Sequence, residues 1–387
     1  MPWYVWAGLA ALVYLAYVSW RYRMLASAGA AQSRGRYDAA VGRIRSFLRS
    51  PLLPSGRSVR AFAHTQLADI LYDIGRLGEA EREANAALEQ IGRGPTAALA
   101  HLLLANILTA ADRLDEAAIE ARKALTTCGR PELAPRGRAY LICQMQAALA
   151  YVALAQVHLR RGDLDLARAD AADALQRDPG CPPALVLLAD LARRQGGFDE
   201  AIDLYAKLVI PDGAGREPVP ERAAVAGFGI ALGLEGKEDY AGAAQRLSQV
   251  LALGLASPSL HAVAGLELAV CMAALGKSDE AGRVLADAEP YLGALGENRE
   301  LRAYELYNKG RLHSHLREFE AAVRDLTAAA EMAPGPNLLP EIYYALGETF
   351  REMGDAPRAR DAYAKAAGVL PPGHFSEKAT QRLAALP

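Results

Sequence analysis

Large aromatic side chains are scarce in this chain. Phenylalanine occurs 7 times in 387 residues and tryptophan only 3 times. With alanine abundant in their place, closely packed helices are expected rather than a sheet core. Cysteine is as rare: Cys128, Cys143, Cys181 and Cys271, with no CxxC among the 4. Free buried thiols in a reducing compartment are the expectation. Charge is nearly balanced, with 43 Lys and Arg against 45 Asp and Glu. No basic field invites nucleic acid, and the basic pairs Arg160-Arg161 and Arg193-Arg194 read as solvated helix ends.

Motifs of chemistry are missing too. There is no HExxH, no GxSxG, and no GxGxxG after a strand pattern. Leu275-Gly276-Lys277-Ser278 has the end of a phosphate loop, but Cys271 stands where the first glycine belongs. His313-Ser314-His315 has no third ligand fixed by local spacing. No catalytic, cofactor or metal residue is assigned, and the chain is expected not to be an enzyme.

The tryptophans that do occur are concentrated. Trp3, Trp6 and Trp20 lie in an N-terminal run that carries no charge until Arg21. Eighteen helical residues span roughly 27 Å, close to a hydrocarbon core. Trp3, Tyr4 and Trp6 cluster at one end, and Tyr17, Trp20 and Tyr22 at the other, as interfacial belts do. Arg21, Arg23, Arg34, Arg36, Arg43, Arg45 and Arg49 all follow the run. That asymmetry predicts a single-pass anchor over 1–25 with the bulk of the chain in the cytoplasm, at the inner membrane. Two alternatives stay open: a signal peptide cut near Ala26-Ser27-Ala28, which lacks the usual leading positive charge, and a periplasmic location.

Beyond the run, one pattern recurs. Examples are "YVALAQVHLRRGDLDLARADAADALQRDP" at 151–179, "LYNKGRLHSHLREFEAAVRDLTAAAEMAP" at 306–334 and "IYYALGETFREMGDAPRARDAYAKAAGVLP" at 342–371. Each has an apolar helix, a short turn, a second helix with a small residue and a packing residue four later on the same face, and a closing proline. The small residues are Ala40, Ala80, Ala117, Ala167, Ala201, Ala243, Ala281, Ala322 and Ala359. Gly35, Gly75, Gly162, Gly196, Gly276 and Gly354 punctuate the turns. The pattern resembles the tetratricopeptide repeat, a helix-turn-helix unit of about 34 residues. The resemblance implies an all-α solenoid of about nine units, with another α-solenoid class as the alternative.

Two breaks interrupt the period: "GRPELAPRGR" at 129–138, followed by a long helix to about Arg161, and "PDGAGREPVPER" at 211–222. They divide the array into stacks at 26–130, 131–211 and 212–371, and a short helix in 372–387, with Ser376 as its cap, is expected to cover the end.

In such an array first helices line a concave face. The repeat register puts Phe62, Thr65, Asp69, Tyr72, Leu102, Asn106 and Thr109 there, then Val152, Gln156, Leu159, Val186, Asp190 and Arg193. Phe228, Leu232, Glu235, Val263, Leu266 and Val270 follow, and Tyr304, Tyr307, Asn308, Arg311, Tyr344 and Glu348 complete it. Tyr304, Tyr307, Arg311 and Tyr344 are the expected anchors of a protein or peptide partner. The clamp of chaperone-binding members is not assigned, since only Asn308 and Arg311 hint at it. The layout is similar to the lipopolysaccharide assembly protein B family, without that family's C-terminal rubredoxin-like module. The resulting expectation is a membrane-anchored scaffold, or a regulatory subunit of a membrane enzyme or secretion system.

Overall fold

The computed structural model describes residues 23–32, 36–49, 56–127, 138–209, 220–254, 258–296, 298–333 and 338–386. The expected span, and with it Trp3, Tyr4, Trp6, Tyr17, Trp20, Arg21 and Tyr22, lies outside the described residues, as do Cys128 and most of both expected joints. Arg23 opens the described chain as an exposed helical residue. Among the described residues every regular element is helical.

The chain divides into two compact units, Met1–Ala153 and Leu154–Pro387. The first holds α1 (23–32), α2 (Tyr37–Leu48), α3 (Arg57–Asp73), α4 (Leu77–Gln90), α5 (Pro95–Ala110) and α6 (Leu114–Thr127). The boundary falls inside α7 (Arg138–Arg161). The second unit continues with α8 (Leu164–Arg177), α9 (Pro182–Arg194), α10 (Phe198–Ala206), α11 (Pro220–Gly236), α12 (Tyr240–Ala252), α13 (Pro258–Ala274) and α14 (Ser278–Leu292). It ends with α15 (Arg299–His315), α16 (Phe319–Met332), α17 (Leu339–Glu352), α18 (Ala356–Gly368) and α19 (His374–Ala385). The Leu141–Arg161 stretch of α7 is long and apolar enough to cross a membrane, yet half of it is buried within the protein, as a core helix also is.

Two local devices build the pairs. All nine marker alanines, Ala40 through Ala359, are fully buried. A methyl group there lets the second helix lie close on the first. Larger residues four positions on fill the space beside them: Ile44, Leu247, Leu326 and Tyr363 are fully buried as well. Against two of these fillers, Leu326 and Tyr363, the facing first helix carries glycine. Gly310 faces Leu326, and a Cβ on Gly310 would lie 2.5 Å from its Cγ.

The second device is the turn. Gly75, Gly162, Gly196, Gly276 and Gly354 all have positive φ, as their spacing suggests, and Asp112, Glu238 and Arg317 adopt the same conformation at equivalent points. In all eight of these turns the next residue's N–H reaches back five residues, as Arg76 N to Leu71 O at 2.8 Å and Asp355 N to Phe350 O at 2.9 Å. This Schellman arrangement satisfies carbonyls that the helix end would leave orphaned and aims the chain into the second helix.

The closing helix α19 is present, but Ser376 does not cap it. The helix begins at His374, and Ser376 sits inside its first turn, 2% exposed. Ala379 is fully buried against Leu346, Tyr363 and Ala366 in the core of the last pair.

Candidate functional site

Within the second unit the pairs curl until the last meets the first. Arg160 on α7 reaches Glu300 on α15 at 3.2 Å, and Arg193 on α9 reaches Glu341 on α17 at 3.3 Å. The segment leading into α19 lies against the turns of earlier pairs. Pro371 packs on Gly162 and His374 on Gly196, where an added Cβ would lie 3.0 Å from each. His374 also meets Phe198 edge to face, ring centroids 5.0 Å apart.

The curl encloses a cavity of about 290 Å³. α15 is its central wall. Tyr304, Tyr307, Arg311, Ser314 and His315 line it from one helical face, as their spacing of three and four residues requires. α11 adds Leu232 and Glu235, α13 adds Glu267, α17 adds Glu341, Tyr344, Glu348, Thr349 and Glu352, and α19 adds His374, Phe375, Lys378 and Arg382.

At its base one guanidinium ties three first helices together. Arg311 donates to Glu235 on α11, to Glu267 on α13 at 3.2 Å and to Asn308 Oδ1 at 3.0 Å. Tyr304 Oη donates to Glu267. The Arg311 guanidinium lies 5.2 Å from the centre of the Tyr307 ring. Burial raises Glu235 to about 8; Arg311 opposes the rise and the Glu267 charge reinforces it. Burial, with the Glu267 charge beside it, holds Tyr304 well above the usual phenol range. Nearer the mouth, half-burial of Glu348 favours its neutral form, yet the Tyr363 hydroxyl, Arg351 and Arg382 lower it below the ordinary carboxylate range.

Of the expected anchors, Tyr304, Tyr307, Arg311 and Tyr344 are brought to this one cavity, together with Arg193 and Glu348. Tyr307 is only 6% exposed and Asn308 is fully buried, so both build the wall rather than offer surface. Asp190 accepts from Tyr205 Oη at 2.5 Å, and Phe228 packs into the core around Leu260 and Ala264. Leu102, Val152, Leu159, Val263, Leu266 and Val270 are buried, because neighbouring pairs cover that side of the first helix. Thr65 and Thr109 are buried too, each bonding the carbonyl four residues back. In the first unit Phe62 is exposed and Asp69 accepts from Gln32 at 3.0 Å, while Tyr72 and Asn106, like Gln156 on α7, are half-buried.

The register did not point to Glu267, Glu341, Glu352 or any residue of α19. Glu267 had a signal: it is the single charged residue of α13, PSLHAVAGLELAVCMAA. A lone charge in an apolar helix needs a buried partner. The α19 residues had none, because only the curl of the unit brings them to the cavity.

Helix pairs joined by tight turns, stacked so that first helices form an inner wall, define an α-solenoid. The tetratricopeptide repeat profile matches residues 65–132, 152–216 and 307–374, a little over half of the chain. The chain belongs to the tetratricopeptide repeat family. Proteins of this family generally mediate protein–protein interactions and bind protein or peptide partners. No curated protein matches the sequence. Among solved structures, the chain is similar to one in the APC/C hetero-tetramer Cut9–Hcn1, at 14% identity over 93% of this chain and 83% of that one, TM-score 0.41. It is similar to a tetratricopeptide repeat protein from Parabacteroides merdae, at 15% identity over 84% and 98%, TM-score 0.38. It is also similar to Pseudomonas aeruginosa PilF, at 19% identity over 60% and 91%, TM-score 0.38.

Proposed function

We propose that this chain is a membrane-anchored scaffold without enzymatic activity, which holds a protein or peptide partner in the concave cavity of its second unit. The observation that carries the reading is the cavity itself, where aromatic and charged side chains of successive first helices converge. Tyr and Arg in a concave site are the side chains that dominate interface energetics. The anchor is the N-terminal apolar run, with the repeats at the cytoplasmic face of the inner membrane. Retention of that run is supported by α1: Leu25, just before the A-x-A sequence, and Ala28, its last residue, are buried.

The test is capture of partners. Full-length protein is solubilised in mild detergent and cross-linked, and what co-purifies is identified by mass spectrometry, beside a Glu238→Lys/Glu352→Lys variant. Both carboxylates line the cavity and are well exposed, at 72% and 46%; because Glu238 pairs with Lys378 on α19, a Glu352→Lys single variant and a circular dichroism spectrum accompany the double one. A stoichiometric cytoplasmic or inner-membrane partner, lost in the variant, is the expected result. Equal recovery with the variant rejects the cavity as the partner site, and a periplasmic partner reverses the orientation. A partner enzyme whose turnover changes on binding would make the scaffold a regulatory subunit.

A further inference from the structure

We propose that the segment held in this cavity is a basic amphipathic helix carrying an aromatic residue, the chemistry that α19 already presents there. The inference rests on the reading of the cavity as the partner site, and it names what that partner offers.

α19 lies along the cavity as a ligand helix would. Ala379 faces the core of the last pair. Phe375, Lys378 and Arg382, spaced three and four residues apart, face the cavity. Lys378 pairs with Glu238 at 3.4 Å and Arg382 with Glu348 at 2.8 Å. The Phe375 ring lies 5.5 Å from that of Tyr344. This is the anchor spacing by which a helix lays one face in a groove.

The cavity still has capacity for positive charge. Of the six glutamates that line it, burial holds Glu235 largely protonated, which leaves five carboxylates against four arginine and lysine side chains, the two from α19 included. Glu235 and Glu267 share Arg311. Glu352 is 46% exposed, and its ion pair with Arg351 is long, at 4.0 Å. The two lining histidines do not make up the difference: half-burial lowers His374 below the usual imidazole range, and the Arg311 charge opposes protonation of His315. The volume of about 290 Å³ takes one or two inserted side chains, with the partner's backbone at the mouth. A cation inserted there meets carboxylates. An acidic segment meets uncompensated like charge.

The test uses full-length protein in non-ionic detergent and a dye-labelled synthetic peptide with the sequence of residues 374–385, read by fluorescence anisotropy. A second peptide carries glutamate at the positions of Lys378 and Arg382. The basic peptide is expected to bind at least tenfold more tightly, and Glu352→Lys to weaken it at least fivefold with an unchanged circular dichroism spectrum. Equal or tighter binding of the acidic peptide overturns the proposal but leaves the cavity a docking site. Binding of neither peptide, or binding of the basic one unaffected by Glu352→Lys, also overturns it. The scaffold reading then stands or falls on the capture experiment alone.

Discussion

Replacing Arg311 by methionine keeps the length of the side chain and removes its charge. Glu235 and Glu267, whose side chains are 15% and 1% exposed, then lose the cation they share. The Asn308 carbonyl loses the donor that now sits at 3.0 Å. Breaking a buried pair from one side costs about 3–5 kcal/mol, and an orphaned acceptor about 1 more. Burying the methionine returns about 1–2 kcal/mol. The net loss expected at pH 7.5 is therefore about 3 kcal/mol. Urea unfolding, followed by tyrosine fluorescence and circular dichroism, shows this as a midpoint lower by about 1 M for a cooperative unit with a slope of about 3 kcal/mol/M. Glu235, which burial raises to about 8, is already largely protonated at pH 7.5, so the loss falls chiefly on Glu267 and the Asn308 carbonyl. A midpoint unchanged at pH 7.5 would refute the view that this guanidinium holds its buried partners in place. The same arithmetic makes Arg311 a poor probe of partner binding: its removal loosens the wall before it removes a contact.

Three other outcomes follow from particular residues. Gly265→Ala places a Cβ 2.6 Å from that of Ala288; overpacking at about 1–3 kcal/mol exceeds the roughly 1 kcal/mol gained in helix propensity, and adding Ala288→Gly should restore the wild-type midpoint, whereas additive losses in the double variant would reject the contact. Arg317 is exposed and has a φ of 63°, so Arg317→Gly should raise the melting temperature by relieving about 1 kcal/mol of left-handed strain; a lowered one counts against the turn. Glu235 titrates near 8 when folded against 4.5 for the free group, so its contribution to stability is complete below about pH 4.5, declines as pH rises to 8 and is flat above. Glu235→Gln should flatten that part of a plot of urea midpoint against pH, and an unaltered slope shows that another group is responsible.

Much of the fold was legible because it is local. A helix pair depends on the 3.6-residue period, a small residue where two helices cross, and a left-handed turn between them. Ala40 through Ala359 and Gly75 through Gly354 lie within single repeats, so the sequence states them directly. Even there it was incomplete: Asp112, Glu238 and Arg317 make the same turn without glycine, because the bonds that close the helix end, such as Arg113 N to Leu108 O at 2.9 Å and Glu318 N to His313 O at 2.8 Å, outweigh about 1 kcal/mol of strain. The concave side was legible only in part. At α15 the register named residues that line the cavity, but it could not tell surface from wall, and it placed buried Leu266, Val270 and Asn308 beside half-buried Tyr344.

What the sequence by itself determined, then, is the repeat: its helices, its turns, and the residues that close each pair. What only the tertiary structure decided is the site. Glu341 meets Arg193 across 148 residues, and Lys378 meets Glu238 across 140. Such pairings depend on the small rotation between successive pairs, summed over the second unit until its end returns to its beginning. That rotation is set by how each layer of side chains fits the next, and no spacing within a repeat encodes it.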